Sequence, residues 1–208
     1  MSEALTILLL RHGQTDANAA GIVQGHQPTP LNSLGRHQAA KLAARLAAWS
    51  PRVDVLVTSD LLRATQTADA IAAACGFPAV QDATWRERFA GDLEGKQVGH
   101  RGIWETVSAT ELANGEPFAD FEARVRAALL ALPARFPAAR TLAVVTHGGP
   151  LNVILRMLDH SELQTVPNCA ILQLRLRRES GGTPLVEIEK INDADHLDPC
   201  KISTLDRG

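Results

Sequence analysis

Three apolar runs in this chain stop abruptly at polar residues, and that pattern leaves few folds open. Leu5 to Leu10 carries no charge and ends in Arg11-His12-Gly13-Gln14-Thr15. A run of this kind, apolar at successive positions, reads as a strand buried on both faces that delivers its polar side chains only at its C-terminal end. Thr141 to Thr146 ends the same way in His147-Gly148-Gly149, and Val53 to Thr58 runs into Ser59-Asp60-Leu61-Leu62-Arg63. Open α/β sheets hold their ligands at that edge. Arg11, His12, Arg63 and His147 therefore gather into one cationic pocket, and a helix starting after His147 aims backbone N–H groups into it.

The segments between these runs read as helices. Ser33 to Trp49 keeps helical spacing through Leu34, Leu42, Leu46 and Trp49, leaves His37 on the solvated face, and ends at Ser50-Pro51. Ser59 or Asp60 can cap a helix that runs to Cys75 and stops at Gly76, with Leu61, Leu62, Thr65, Ala68 and Ile71 facing inward. Arg63 falls in its first turn, where a cation is unfavourable, so it serves either an anion or an ion pair with Asp60. Further helices are expected from Pro117 or Phe118 to Leu132, closed by Pro133, and from Pro150 to Leu158. A short strand is expected around Ala79 to Asp82, and Cys169 to Arg177 with Leu185 to Ile191 makes a hairpin about Ser180-Gly181-Gly182-Thr183. The fold class is α/β, with a mainly parallel central sheet covered on both faces and an antiparallel edge strand.

Two stretches resist this reading. Gln14 to Asn32 is a long polar loop whose Thr15, Asn18 and Gln24 could each hydrogen-bond an anion. About residues 85–117, mixed charge and scattered glycine suggest a mobile insertion over the site. The chain of 208 residues is expected to form a single domain over 1–208. From Asn192 onward it is a polar, solvated tail, and Asp193, Asp195 and His196 lack metal-ligand spacing.

Composition narrows the partners. A net charge of -2, 4% aromatics and no tyrosine give neither a phosphate-backbone footprint nor stacking platforms, so no nucleic acid is expected. The N-terminal apolar run is too short for a membrane span or a signal-peptide core, and Cys75, Cys169 and Cys200 lack Cys-x-x-Cys spacing. A cytoplasmic protein with no membrane partner is expected. The exposed final strands could pair in a homodimer.

Two arginines, two histidines and a helix N-terminus form a receptor for a tetrahedral dianion, and phosphate uses the whole donor set. A neutral imidazole in line with phosphorus can attack it and carry the phosphoryl group, and His12 suits this if its other ring nitrogen is tied to a backbone carbonyl. Arg11, Arg63 and His147 would neutralise the equatorial oxygens. A carboxyl group must protonate the leaving alkoxide and then activate water, and Glu87, Asp92 and Glu94 are all open to that role. No Gly-x-x-x-x-Gly-Lys loop and no metal-ligand spacing is present, so neither metal nor cofactor is expected.

These pieces resemble the histidine phosphatase superfamily, in its phosphoglycerate mutase-like branch. The resemblance rests on Leu10 to Thr15 with Asn18, Gly25 and Pro30-Leu31; Thr58 to Ala64 with Thr67-Ala68; Glu87 with Gly91 and Glu94-Gly95; Gly115-Glu116 with Arg124-Val125; and Val145 to Gly149. It implies a three-layer α/β/α sandwich, His12 as nucleophile, Arg11, Arg63 and His147 as phosphate pocket, and Glu87 as proton donor. Asn18, Gln24 and the Gly148 backbone become further phosphate contacts. Mutases of this family carry a tyrosine, a lysine and paired arginines after the glutamate, whereas this chain has Ala90, Val98 and no Arg-Arg pair; Pro28 stands where many members have aspartate. The expectation is a metal-independent phosphatase acting on a small phosphorylated metabolite through a phosphohistidine. A phosphoglycerate mutase and a non-catalytic phospholigand-binding protein are the alternatives.

Overall fold

The structure, a computed structural model, describes residues 4–98, 112–160, 166–177 and 184–197. Its strands are β1 (Leu5–Arg11), β2 (Val55–Thr58), β3 (Val80–Gln81), β4 (Thr141–Thr146), β5 (Ile171–Arg177) and β6 (Leu185–Asp193), in one sheet of order β3-β2-β4-β1-β5-β6. The pairs β3/β2, β2/β4 and β4/β1 are parallel; β5 pairs antiparallel with both β1 and β6. The helices are α1 (Asp16–Ala20), α2 (Ser33–Ala47), α3 (Leu62–Cys75), α4 (Phe118–Arg135) and α5 (Gly148–Met157).

The period of two along a strand sorts the apolar run of β1 between two cores. Ile7 and Leu9 join Val144, Val57, Phe121, Leu129 and Ile154 under α4 and α5. Leu8 and Leu10 join Val145, Leu56, Leu42, Ala64 and Ile71 under α2 and α3. Helices thus cover both faces in three layers. Each of these side chains is buried, and each one larger than alanine contributes about 1.5–3 kcal/mol relative to exposure. Register then aligns the strand ends: Arg11 lies opposite Thr146, and Thr58 opposite Val145. No helix among the described residues is long and apolar enough to cross a membrane.

Several local expectations are corrected. The loop 14–32 holds α1, which Thr15 caps. The first residue before α3 is Leu61, without a side-chain cap; Asp60 instead receives Arg86 Nε at 2.6 Å and pairs with that guanidinium. Leu62 is exposed and Thr65 half-buried, while Arg63 and Thr67 take the inward positions. Helix α4 continues through Pro133 to Arg135, because a proline that near the C-terminus removes only one helical bond and buries its ring in the core. The tail turns back: Asp193 and Leu197 are buried, and His196 Nε2 lies 3.1 Å from the Cys169 carbonyl. Within the described part of the insertion, Trp85, Ala90 and Leu112 are buried; its His100 and Arg101, like the hairpin turn at 180–183, lie outside the described residues.

One contact seats α2 beneath the end of β1. A Cβ on Gly35 would stand 2.0 Å from the Gln14 carbonyl oxygen, and one on Gly13 would stand 2.5 Å from the Gly35 oxygen. The two backbones touch, and Gln14 N donates to Gln38 Oε1 at 2.9 Å beside them. Gly35→Ala must push them apart and is expected to lower stability by about 1–3 kcal/mol. Urea unfolding checks this against Lys41→Ala on the exposed face of the same helix; equal midpoints for the two variants would remove the close-approach argument.

Candidate active site

The C-terminal ends of β1, β2 and β4 deliver His12, Ser59 and His147 side by side. His12 N donates to Thr146 O at 3.0 Å, Ser59 N to Val145 O at 2.9 Å, and Gly13 N to Thr67 Oγ1 at 3.0 Å. The segment before β5 clamps the other side. Arg11 N donates to Ala170 O, Cys169 N to Arg11 O at 3.0 Å, Asn168 Nδ2 to His12 O at 2.9 Å, and the Arg11 guanidinium to Val166 O. The backbone of Arg11 and His12 is thereby held on both flanks.

His12 has the geometry of a presented lone pair. The Gly13 carbonyl lies 2.7 Å from Nδ1 and can only accept, so Nδ1 carries the proton. Nε2 is then the acceptor for Arg63 Nε–H at 3.2 Å. Burial, with Arg63 and then Arg11 nearby, holds the His12 pKa well below the usual imidazole value, against a smaller opposite pull from the Gly13 carbonyl. The ring is neutral at physiological pH.

His147 occupies the N-cap position of α5 and lies wholly buried with its ring centroid 5.1 Å from that of His12. Burial, followed by Arg63, His12, His26 and Arg11, lowers its pKa as well. Its Nε2 meets Ser59 Oγ at 2.8 Å, and its Nδ1 has no partner among the described residues. Arg63 is fixed by the carbonyls of Gly25 at 2.9 Å and Gln27 at 3.2 Å, and burial brings its pKa down to about 10. Arg11 lies against Gly148, whose ideal Cβ would be 3.7 Å from Nε. Positive groups and the N-terminus of a ten-residue helix thus converge on one spot, an arrangement that favours an anion.

Position separates the three carboxylates that residue chemistry leaves open. Glu87 Oε2 accepts from Gly149 N at 3.0 Å and Oε1 from Arg88 N, which puts the carboxylate at the first turn of α5 beside His147. Glu94 Oε1 accepts from His26 N at 2.8 Å and Ala90 N at 3.2 Å, so it ties two loops together. Asp92 is exposed and holds Asn114. The Glu87 backbone is itself fixed: its carbonyl meets His26 Nε2 at 2.8 Å and Arg124 Nη2 at 3.4 Å, and Arg124 also grips Glu116.

Thr15 sits behind the pocket rather than in it. It is fully buried, its hydroxyl accepts from Asn18 N, and that hydroxyl reaches Asn18 Oδ1 at 3.0 Å and Gln24 Oε1 at 2.9 Å. Its single proton serves one of these oxygens at a time, and Asn18 Oδ1 also accepts from Thr15 N at 3.1 Å and Gln24 Oε1 from Thr29 Oγ1 at 2.5 Å, so both amides are held through their oxygens, leaving their NH2 groups to donate elsewhere. Sequence reasoning missed Ser59 as a partner of His147, His26 and Gly149 as supports of Glu87, and Asn168. Ser59 lay inside a quoted motif but was read only as a helix cap; Asn168 has no local signal, because its partner is 156 residues away.

Comparison with known proteins finds relatives over nearly the whole chain. A family profile described as the histidine phosphatase superfamily (branch 1) matches residues 7–190. The protein named "Probable phosphoglycerate mutase GpmB" in Yersinia enterocolitica is 32% identical over 217 residues, covering 98% of this chain and 100% of its own length. The native structure of a mycobacterial glucosyl-3-phosphoglycerate phosphatase superposes with a TM-score of 0.76 at 27% identity, over 91% of this chain and 99% of that one. A phosphoglycerate mutase from Bacillus anthracis shares the fold, with a TM-score of 0.80 at 20% identity over 94% and 96% of the two chains.

The two buried imidazoles make stability depend on pH. Unfolded histidine titrates near 6.5 and these rings well below it, so in the window between, the unfolded chain binds more protons. The free energy of unfolding should therefore fall as pH drops below about 6.5, by up to about 1.4 kcal/mol per pH unit per ring. Urea unfolding between neutral and mildly acidic pH reads the slope, and His12→Gln should take about one proton out of it. A slope indifferent to that substitution would contradict the neutral-ring description.

Proposed function

The chain belongs to the histidine phosphatase superfamily, and from that premise we propose that it is a phosphatase that hydrolyses small phosphomonoesters through a phosphohistidine on His12. The observation that carries this reading is the buried His12 ring, its Nδ1 proton engaged by Gly13 O and its Nε2 lone pair turned toward Arg63. In this reading Nε2 attacks phosphorus and the P–O ester bond breaks. Arg11, Arg63, His147 and the Gly148 N–H take up the charge of the equatorial oxygens, with Asn18 and Gln24 donating at the rim. The Glu87 carboxyl gives its proton to the leaving alkoxide; as carboxylate it then takes one from the water that attacks the phosphohistidine, returning free His12 and inorganic phosphate. Each charge that develops is met by the chain's own donors.

A mutase is the second reading, favoured by the name of the Yersinia relative. It would need a retained phosphohistidine and a grip on a substrate carboxylate. At the positions where mutases of the family carry a tyrosine and a lysine, Ala90 is buried with Val23 and Leu112, and Val98 packs against that same cluster. Neither offers a cation, which supports hydrolysis.

Phosphate release from a panel of phosphomonoesters, measured with a chelator present, tests the proposal. Wild type should turn over and His12→Ala should not; equal release by both would remove the phosphohistidine. Glu87→Gln should be slowed most with poor, alkyl leaving groups, and equal unimpaired rates on alkyl and aryl esters would remove Glu87 as the acid. Gly149→Ala should reproduce that leaving-group pattern, because a Cβ there would stand 1.9 Å from Glu87 Oε1 and 3.1 Å from Phe121 Cζ and so must displace the carboxylate. A Gly149→Ala enzyme with wild-type kcat on alkyl esters would show that Glu87 need not sit where it does.

A further inference from the structure

Ser59 and His147 are both fully buried, and the 2.8 Å contact between Oγ and Nε2 can be made in two ways. If Nε2–H donates to the hydroxyl, the serine proton must find another acceptor, and His147 Nδ1 is left with a bare lone pair. Among the described residues the hydroxyl has only one other hydrogen-bond partner, Leu61 N at 3.3 Å, which is itself a donor. That arrangement strands two buried groups. If instead the serine hydroxyl donates to Nε2, it accepts from Leu61 N and donates to the ring, so both its capacities are used. The imidazole proton then sits on Nδ1, the buried nitrogen that has no partner. Only one group is left over, and it is a donor in the cationic pocket, where an anion would complete it.

We propose that the Ser59 hydroxyl donates to His147 Nε2 and so fixes His147 as the Nδ1–H tautomer, making Ser59 the positioning residue that turns this imidazole into a hydrogen-bond donor for a bound phosphoryl oxygen. The two rings then divide the work although both carry their proton on Nδ1. In His12 the Gly13 carbonyl accepts from Nδ1–H and leaves Nε2 a lone pair, which Arg63 Nε–H meets; in His147 the serine hydroxyl donates to the Nε2 lone pair and leaves the Nδ1 proton to donate. The inference rests on the phosphatase reading for the identity of the oxyanion. The tautomer itself is a property of the free protein.

Two-bond 1H–15N correlation spectra of the free protein labelled with [15N]histidine test it directly, with the His147 signals identified by their loss in His147→Gln. The expected wild-type pattern has the proton on Nδ1, and a proton on Nε2 overturns the proposal whether or not any variant folds. Ser59→Ala should move the proton or mix the tautomers, whereas Ser59→Thr, which keeps the hydroxyl, should retain the wild-type pattern. Binding of inorganic phosphate to Ser59→Ala should be about 10-fold weaker at mildly alkaline pH. Ser59→Thr should bind phosphate as wild type does, and a Ser59→Ala affinity equal to that of wild type would mean that Ser59 serves packing alone. Absence of ester turnover in wild type would sink the proposed function and leave the spectrum standing; a proton on Nε2 with turnover intact would sink only this inference.

Discussion

A strand covered by helices on both faces can hold no unpaired polar side chain until it ends. That constraint places the chemistry in this protein. Within β1, Ile7 to Leu10 are completely buried, with alternate residues committed to opposite cores, so Arg11 and His12 are the first polar groups the strand can present. Parallel pairing with β4, and of β4 with β2, then brings His147 and Ser59 to the same edge. The place of the cationic pocket follows from the sheet's hydrophobic order.

Concentrating cations in so dry a place has an energetic signature. Burial depresses the pKa of His12, His147 and Arg63 together, and the backbone carbonyls of Gly25 and Gln27 hold the Arg63 fork. The donors are fixed by the protein's own contacts, so the dianion of the proposed reaction would meet aligned groups and little reorganisation. Glu87 is held beside His147 by two backbone N–H groups, those of Arg88 and Gly149.

Much of this was legible in the sequence because it is written locally. The apolar runs predicted the sheet and its covered faces, helical spacing located α2 and α3, and the polar triplets after β1 and β4 marked the pocket. What stayed hidden depends on distant partners. Residue chemistry leaves Glu87 and Glu94 alike and only the family resemblance singled out Glu87; in the structure Gly149 N and Arg88 N donate to Glu87, and His26 N and Ala90 N to Glu94. Thr15 looked like a ligand because its hydroxyl is polar, but burial and the Asn18 and Gln24 oxygens absorb it. Pro133 looked like a stop because local rules ignore the core that its ring joins.

The clamp made by Val166 to Ala170 gives the order in which the site can be assembled. On that flank the bonds that hold Arg11 and His12 come from residues more than 150 positions later in the chain. A chain emerging from the ribosome can therefore bury much of β1 against β4 while its other edge, where β5 will pair, is still bare. The pocket is among the last parts to close, and any nascent or truncated chain ending before β5 would present an open apolar strand instead of an active site.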